Sequence, residues 1–512
     1  MKKRPYNILF HLHTVSGIVI SVLLYVIFFA GSFSFFRDEI VNWERNDNMV
    51  STTDMQLNID VALDSLTKNY VLEGRDITFK KYYEERQPAV TLGMSKDTLI
   101  AESDRAGAFF YLHDKKFTEE SYSDSYNLGE FLYRLHFFAQ IPYPYGYYIS
   151  GFTAFFFLFA LVTGILIHWD KIVSNFFLFR PKAKLKMLWT DAHTALGTIG
   201  LPFQLVYAVT GAFFMLQTIL VAPYAIAFFN KDQEKLMTAL EYRDPVYEYA
   251  QVPLNKKVLV EEYVEQTKKR WKHFNVTKVI VYNYLDANMH VYIEGQLDAD
   301  KRFSGAGKIS YKVADDSVEV LKDPYTGNTY LDGVKTAVYR LHYGDYAGYP
   351  LRLVSFVMGI IGCVVILSGV LIWFNARNKK NISDKDRKYN ERVASVYLAI
   401  CLSMYPITAL TFIAVKINGG SGIFFLYWFY FIGWLLFSLF FIVKNNTRLT
   451  NSYTLLLGSV FGFLIPFVNG FVTSNWFWMA LAENNFHCFF IDVFWLVVSL
   501  VTFYVFLKVR RK

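Results

Sequence analysis

The chain has 512 residues, of which 54% are hydrophobic and 19% aromatic, and its mean hydropathy is positive, at +0.23. This composition argues against an ordinary soluble globule and is typical of a membrane protein with aromatic residues at both interfaces of the lipid bilayer. The formal net charge of +8 does not indicate a nucleic-acid-binding protein, because the basic residues gather in short loops between hydrophobic stretches.

Eight hydrophobic stretches are each long enough to cross a bilayer as a helix. They cover roughly 9–36, 149–169, 196–222, 351–374, 393–415, 423–443, 453–473 and 488–507. The first stretch is too long for a cleaved signal peptide, and no small-residue cleavage site follows it. We therefore expect it to be a retained transmembrane helix.

The distribution of Lys and Arg predicts the orientation of these helices. Basic residues crowd the N-terminus, the loops 170–192 and 375–392, and the C-terminal tail. The intervening loops NGGSG (418–422) and SNWFWMALAENNFH (474–487) contain none. Since cytoplasmic loops are enriched in Lys and Arg, both termini are expected in the cytoplasm of a multi-pass protein.

Two long polar segments, 37–146 and 223–350, then fall outside the cytoplasm. Each begins with a helical pattern (NIDVALDSLTKNY and NKKVLVEEYVEQTKKRW), and alternating segments such as VTKVIVYNYL and KISYKVA predict strands. A helix followed by antiparallel strands is typical of a small α+β module. The predicted fold is an α-helical polytopic membrane protein with eight transmembrane helices and two extracytoplasmic α+β modules.

The predicted units follow one another along the whole chain. They are transmembrane helix 1 (1–36), the first module (37–146), transmembrane helix 2 (147–169), a cytoplasmic loop (170–192), transmembrane helix 3 (193–222), the second module (223–350), transmembrane helix 4 (351–374), a second cytoplasmic loop (375–392) and a four-helix C-terminal membrane extension (393–512).

The first four transmembrane helices belong to an internal repeat. HTVSG and HTALG open helices 1 and 3, LYRLH and VYRLH precede helices 2 and 4, and TGILIHW and SGVLIWF close those two helices. Both copies start in the cytoplasm, so their symmetry axis should run along the membrane normal. Equivalent residues then face each other at equal depth: His13 meets His193 near the cytoplasmic face, and His136 meets His342 near the outer face.

Two facing pairs of imidazoles are a suitable ligand set for two b-type haems in a helix bundle. Gly17 and Gly197, one turn after the first histidine pair, would let a flat macrocycle approach the helices. Arg134 and Arg340 would pair with haem propionates. Taken singly, such residues are more often interfacial or packing residues. The haem prediction depends on both histidine pairs falling on repeat mates.

Other candidate residues carry weaker signals. His168 lies near the cytoplasmic end of helix 2 and is a substitute ligand, but its repeat mate is Trp373. Asp492 in helix 8 is unusual at membrane depth, and satisfied packing is favoured over a proton or quinone contact. The cysteines form no CxxC or CxxCH motif, which argues against a zinc site, a disulfide framework and c-type haem.

The order of an H-x-x-x-G helix, a module, an L-H pair and a T-G-x-L helix end resembles the PepSY-associated transmembrane proteins, over about residues 5–376. DPYTG (323–327) also resembles a motif of their modules. That family includes iron-regulated inner-membrane proteins and ferric-siderophore reductases. The resemblance implies a bacterial inner-membrane protein with two bis-histidine haems b, whose ligands would be His13, His136, His193 and His342. Two departures are Ser368 in place of threonine and the extra helices 5–8.

The resemblance also implies an activity, namely reduction of a ferric siderophore or another iron chelate outside the membrane. No cytoplasmic loop carries G-x-G-x-x-G after a strand, so we expect electrons from membrane quinol or from a separate donor protein. The chain would be a haem-dependent ferric-chelate reductase without a protein nucleophile or acid–base pair. Two alternatives remain open: a haem-free PepSY scaffold that regulates or inhibits proteases, and a permease that uses helices 5–8.

Overall fold

The computed structural model describes residues 3–47, 54–81, 87–113, 115–178, 180, 183, 185–298, 301–378, 382–420 and 422–510. Several basic residues of the two predicted cytoplasmic loops and of both termini lie outside these ranges. The chain forms two compact units. The membrane unit contains Met1–Met49, Tyr126–Pro223 and Leu341–Lys512, and the sheet unit contains Val50–Ser125 and Tyr224–Arg340.

Eight helices in the described residues are long and apolar enough to cross a membrane, which confirms the predicted number. Spans 1 to 8 are Lys3–Ser34, Tyr145–Phe176, Lys186–Phe229, Gly348–Arg377, Asp384–Ile417, Ile423–Lys444, Thr447–Thr473 and Phe486–Arg510. Five shorter helices matter for the site and the sheet: Arg37–Arg45, Leu128–His136, Tyr330–Tyr343 and, in the sheet unit, the pair Ile59–Leu66 and Val260–Arg270. The fold is that of a polytopic membrane protein with α+β modules, as expected.

The strands of the two polar segments join in a single antiparallel sheet, in the order β4-β3-β2-β1-β5-β6-β7-β8. The first segment supplies β1 to β4 and the second supplies β5 to β8: Ile77–Lys80, Ala89–Leu92, Ala108–Leu112, Glu119–Glu120, Phe274–Tyr282, His290–Leu297, Ala306–Lys312 and Ser317–Lys322. Strands β1 and β5 form the junction, with Phe79 opposite Val279. Two separate four-stranded sheets would leave two further edges with unpaired backbone groups, and this junction satisfies them.

The helices Ile59–Leu66 and Val260–Arg270 begin by capping each other. The Asp60 carboxylate accepts hydrogen bonds from the backbone N–H groups of Val260 at 2.7 Å and Glu261 at 3.1 Å. In return, the Glu261 carboxylate accepts one from the N–H of Ile59 at 2.9 Å. Because helix N-termini leave backbone N–H groups unpaired and favour negative charge, the exchange stabilises both helix starts.

In the membrane unit, the short helix Arg37–Arg45 after span 1 connects several elements, and we call it the Trp43 helix. Its Glu39 receives two hydrogen bonds from the Arg352 guanidinium of span 4, at 2.8 and 2.6 Å. Its Glu44 accepts one from the N–H of Leu128, at 2.7 Å, where the helix carrying His136 begins. Its Trp43 indole donates to Asp492 of span 8 at 2.7 Å. The Trp43 helix therefore fixes the start of the His136 helix relative to spans 4 and 8.

The buried pair of Arg352 and Glu39 gives a stability prediction. Arg352→Met leaves the Glu39 side chain, only 2% exposed, as an uncompensated charge, which should lower the free energy of unfolding by about 3–5 kcal/mol. The double variant Arg352→Met/Glu39→Gln removes the stranded charge and should recover part of that loss. Thermal unfolding in detergent measures both. The single variant Glu39→Gln completes the comparison. If the double variant lost as much stability as Arg352→Met and Glu39→Gln lose together, this view of the pair would be contradicted.

Candidate cofactor site: two histidine pairs

The four predicted histidines lie as two close pairs in the membrane unit. His13 of span 1 and His193 of span 3, which we call the HT pair, have ring centroids 6.1 Å apart with planes at 71°. His136 and His342, which we call the LH pair, have centroids 6.0 Å apart with planes at 43°. His136 ends the helix Leu128–His136, and His342 is the penultimate residue of the helix Tyr330–Tyr343. Repeat mates therefore meet at both levels.

These separations are compatible with a shared metal between the rings. An imidazole nitrogen lies about 2 Å from a metal that it ligates, and the ring centroid lies about 1.1 Å behind that nitrogen. Two imidazoles on opposite sides of one iron therefore have centroids about 6 Å apart. Two rings in direct edge contact reach similar distances, so the hydrogen bonds of the other ring nitrogens are needed to judge the site.

In the HT pair, each Nδ1 atom faces a backbone carbonyl. Nδ1 of His13 lies 2.8 Å from the oxygen of Ala160 in span 2, and Nδ1 of His193 lies 2.9 Å from the oxygen of Val365 in span 4. A carbonyl oxygen only accepts, so each Nδ1 carries the proton and each Nε2 keeps a free lone pair. A metal-ligating histidine commonly donates its other N–H to such a carbonyl.

The LH pair has the same arrangement with one change. Nδ1 of His136 lies 2.8 Å from the carbonyl oxygen of Ile27. Nδ1 of His342 lies 2.7 Å from the hydroxyl of Thr210, which itself donates to the carbonyl of Val206 at 2.5 Å. The hydroxyl proton is thus used, and Thr210 accepts from His342. Both imidazoles can therefore be neutral with the proton on Nδ1, which is the form that binds metals through Nε2.

The T-G and S-G pairs near the ends of spans 2 and 4 support these carbonyls. The hydroxyl of Thr163 donates to the Ala160 oxygen at 3.0 Å, and that of Ser368 donates to the Val365 oxygen at 2.9 Å. Each carbonyl therefore accepts both a histidine N–H and a neighbouring hydroxyl. The change from threonine to serine in the second copy keeps this hydrogen bond, which explains why Ser368 is compatible with the repeat.

The glycines of these motifs give the rings their space. A Cβ atom on Gly164 would lie 3.1 Å from Cε1 of His13, and one on Gly369 would lie 2.9 Å from Cε1 of His193. A Cβ atom on Gly31 would lie 2.5 Å from Nδ1 of His136. Gly17 and Gly197 differ. A Cβ on Gly17 would meet nothing within 4 Å, and one on Gly197 would meet only Val365, at 3.9 Å. These two positions thus border free space, as a nearby flat cofactor requires.

The two arginines predicted to hold propionates have partners within the protein. Arg134 donates to Glu130 at 2.6 Å, and Glu130 also pairs with Arg37. Arg340 is buried, with its guanidinium carbon 5.9 Å from the ring centroid of Phe303. A propionate at Arg134 would compete with Glu130, so the propionate role of both residues stays a prediction.

Sequence reasoning missed Gln204, Thr210 and the ring-contacting glycines. The amide of Gln204 is buried, and its Nε2 has no hydrogen-bond partner among the described residues. It lies on span 3 between His193 and Thr210. Buried polar groups are rarely left unpaired, so this donor indicates a missing polar group between the two histidine levels. The tripeptide VTG occurs at 162–164 and again at 209–211. This repeat is the sequence signal that could have pointed to Gly164 and Thr210.

The two histidine levels are separated along the membrane helices. His13 and Ile27, whose carbonyl marks the LH level, are 14 residues apart in span 1, or about 21 Å at 1.5 Å per residue. Aromatic rings lie beside the LH level: the ring centroids of Phe28 and Tyr207 are 6.2 Å apart, and those of Tyr207 and His342 are also 6.2 Å apart. Two centres at these levels would divide the thickness of the bilayer.

Neither histidine pair offers enough protein ligands for a bare metal ion. Within the described ranges, no three His, Cys, Asp or Glu side chains group as a metal site. A structural zinc ion takes four protein ligands, whereas haem iron already has four porphyrin nitrogens and needs only two axial ligands. The residues present therefore fit a bis-histidine haem better than an isolated ion.

The repeat with its paired histidines can now be compared with known families. The family described as "PepSY-associated TM region" matches residues 10–376. The chain belongs to this family. The PepSY-associated match includes both histidine pairs and the sheet unit and ends with span 4, so spans 5 to 8 lie outside it. No curated protein matches the chain.

Substitution of Gly369 tests how the HT pair is held. Gly369→Ala places a methyl group against the His193 ring and should displace it from any metal between the rings. We expect haem content to fall by about half, because the LH pair is unaffected. Gly333→Ala, whose Cβ would meet nothing within 4 Å, is the matched control. Haem assay of the purified proteins measures the effect, and unchanged haem in Gly369→Ala would contradict this geometry.

Proposed function

We propose that the chain is a di-haem b-type electron-transfer protein that passes electrons across a bacterial inner membrane to a ferric chelate. One observation carries the proposal: all four histidines have Nδ1 engaged by a carbonyl or hydroxyl, which leaves four Nε2 lone pairs on rings that pair at centroid distances of 6.1 and 6.0 Å. Membership of the PepSY-associated family supports a membrane protein of this type. The haem ligands would be His13 and His193 at one level, and His136 and His342 at the other.

Each part of the protein has a separate role in this proposal. Bound haem would supply one-electron redox chemistry, and His13, His193, His136 and His342 would hold it. The carbonyls of Ala160, Val365 and Ile27, together with the Thr210 hydroxyl, orient the imidazoles and keep their Nδ1 atoms protonated. Gly17 and Gly197 leave room beside the HT pair. The apolar spans keep water away from both levels.

The proposed direction of electron flow runs from the cytoplasmic side to the outer side. The donor would be membrane quinol or a separate donor protein, since the sequence has no nucleotide-cofactor motif. The acceptor would be a ferric siderophore or a similar chelate. Ferrous iron binds hard oxygen ligands less tightly than ferric iron does, so reduction would release the metal. This step needs no protein nucleophile and no acid–base pair.

The first test is optical. A reduced-minus-oxidised spectrum of the purified protein should show a b-type signal, with two haems per chain. His13→Ala or His342→Ala should each remove about half of the signal, because each breaks one pair. His11→Ala, an exposed histidine in the same span as His13, should keep the full signal. A colourless wild-type protein would refute the proposal and favour the haem-free scaffold.

The second test identifies the acceptor. Protein reduced with dithionite and freed of excess reductant is mixed with ferric siderophores or with simple ferric chelates, and reoxidation is followed optically. We expect rapid reoxidation by at least one chelate. Reoxidation should be much slower in His136→Ala, because this variant would lose the haem of the LH pair, from which the electron leaves. A haem signal that no ferric chelate reoxidises would keep the electron-transfer role and exclude iron chelates as acceptors.

A further inference from the structure

Spans 5 to 8, outside the family match, carry two buried side chains of opposite charge, Asp492 within span 8 and Lys416 next to the end of span 5. Asp492 of span 8 is fully buried, and Lys416 of span 5 is 3% exposed. One carboxylate oxygen of Asp492 accepts from the Trp43 indole at 2.7 Å, and the other accepts from the Asn469 amide at 2.9 Å. Intramembrane charges are costly and usually functional, so packing alone does not account for them.

Neutral groups hold both charges. Lys416 donates to the backbone carbonyls of Trp43 and Glu44, in the last turn of the Trp43 helix, where the helix dipole favours a cation. Among the described residues, Asp492 receives hydrogen bonds from an indole N–H and an amide N–H. An amide presents a donor on one side and an acceptor on the other. By rotating, Asn469 can therefore bond either an ionised or a protonated Asp492.

The titratable groups that interact with this site come from three elements. Lys416 of span 5 and Cys488 of span 8 interact electrostatically with Asp492. Glu44 of the Trp43 helix interacts with Lys416, and Asp47 after that helix interacts with Cys488. The site thus combines one amine and one thiol with three carboxyl groups. A proton gained by Asp492 would reduce the negative charge of the site.

A row of polar side chains continues from Asp492 into the membrane. Asp492, Trp495, Ser499 and Thr502 lie on one face of span 8, at helical spacings of three and four residues. The row is about 15 Å long, which is about half of the hydrocarbon thickness. Nε1 of Trp495 and Oγ of Ser499 are buried and have no hydrogen-bond partner in the described part of the chain.

Span 5 contacts this row through Tyr405 and has a helix interruption two residues earlier. Its helix breaks at Ser403, near the middle of the span and three residues before Pro406, because proline lacks an N–H and crowds the preceding turn. Oγ of Ser403 is also buried, with no partner among the residues described. Tyr405 reaches the row: its hydroxyl bonds Thr502 at 2.8 Å, and its ring stacks on Trp495.

Span 7 closes the other side of the row. Gly462 packs directly on Ser499 and Trp495, where a Cβ would collide with the Ser499 hydroxyl, and Pro466 interrupts the same helix's hydrogen bonding. Interrupted helices and buried ionisable groups recur together in membrane transport paths. The unpaired atoms of Ser403, Trp495 and Ser499 are polar groups of the kind that buried water satisfies.

We propose that spans 5 to 8 enclose a water-filled proton path in which Asp492 binds and releases the proton. A proton that arrives through water bound at Ser403 and Ser499 joins the Asp492 carboxylate. The neutral carboxyl then releases the proton toward the end of span 8 that begins at Phe486. The path is independent of the histidine pairs, so it goes beyond the electron-transfer role.

The test uses the full chain in liposomes that contain a trapped pH-sensitive dye. A pH step is applied with potassium and valinomycin present, so that charge does not limit the flux. Wild-type protein should relax the gradient several-fold faster than protein-free liposomes, and Asp492→Asn should return the rate to the protein-free level. Glu391→Gln changes an exposed carboxylate of span 5 to an amide and should keep the wild-type rate.

Two conservative variants decide the case if Asp492→Asn fails to fold. Ser403→Ala and Ser499→Ala remove only a hydroxyl, and each should slow the flux several-fold. A double variant, His13→Ala/His342→Ala, should keep the flux even where the haem signal is lost, which separates this proposal from the electron-transfer role. The proposal would be overturned if wild-type protein gave only the protein-free rate, or if Asp492→Asn, Ser403→Ala and Ser499→Ala all kept the wild-type rate.

Discussion

The candidate site depends on one constraint, the need of a histidine N–H for a partner in a medium without water. Within the bilayer an imidazole must donate its proton to another protein group, since an unpaired polar group is costly there. In this chain a backbone carbonyl accepts that hydrogen bond at three of the four positions, and the Thr210 hydroxyl accepts it at His342. The opposite nitrogen is then left with a free lone pair, on a ring that lies close to the ring of its repeat mate.

Duplication turns this local constraint into a two-level site. Span 2 supplies the carbonyl for His13 and span 4 supplies that for His193, and each carbonyl lies one turn before a T-G or S-G pair. Span 1 serves His136 in a related way, but Thr210 of span 3 replaces the direct carbonyl at His342. The two copies have therefore diverged at the LH level, which gives the two centres different surroundings and, with haem bound, different potentials.

The sequence was sufficient for the features that depend on local patterns. Runs of apolar residues gave the number of spans, and the repeated HTxxG and YRLH motifs gave the histidine pairs whose rings lie 6.1 and 6.0 Å apart. The joint sheet was not foreseen, because the pairing of β1 with β5 connects residues about 200 positions apart. The contacts of Asp492 were equally remote: satisfied packing was expected, but its partner Trp43 lies 449 residues earlier in the chain.

The extra spans also change how the family core is held. The Trp43 helix receives Asp492 and Lys416 from the extension, and its Glu44 holds the first turn of the helix that ends in His136. These hydrogen bonds link the C-terminal extension to the helix that carries His136.

The most direct measurement is an experimental density map of the protein purified from membranes. The account predicts a flat density with a metal peak between the Nε2 atoms of His13 and His193, and a second one between those of His136 and His342. Rings in direct contact, or a gap filled by lipid or side chains at both levels, would contradict it.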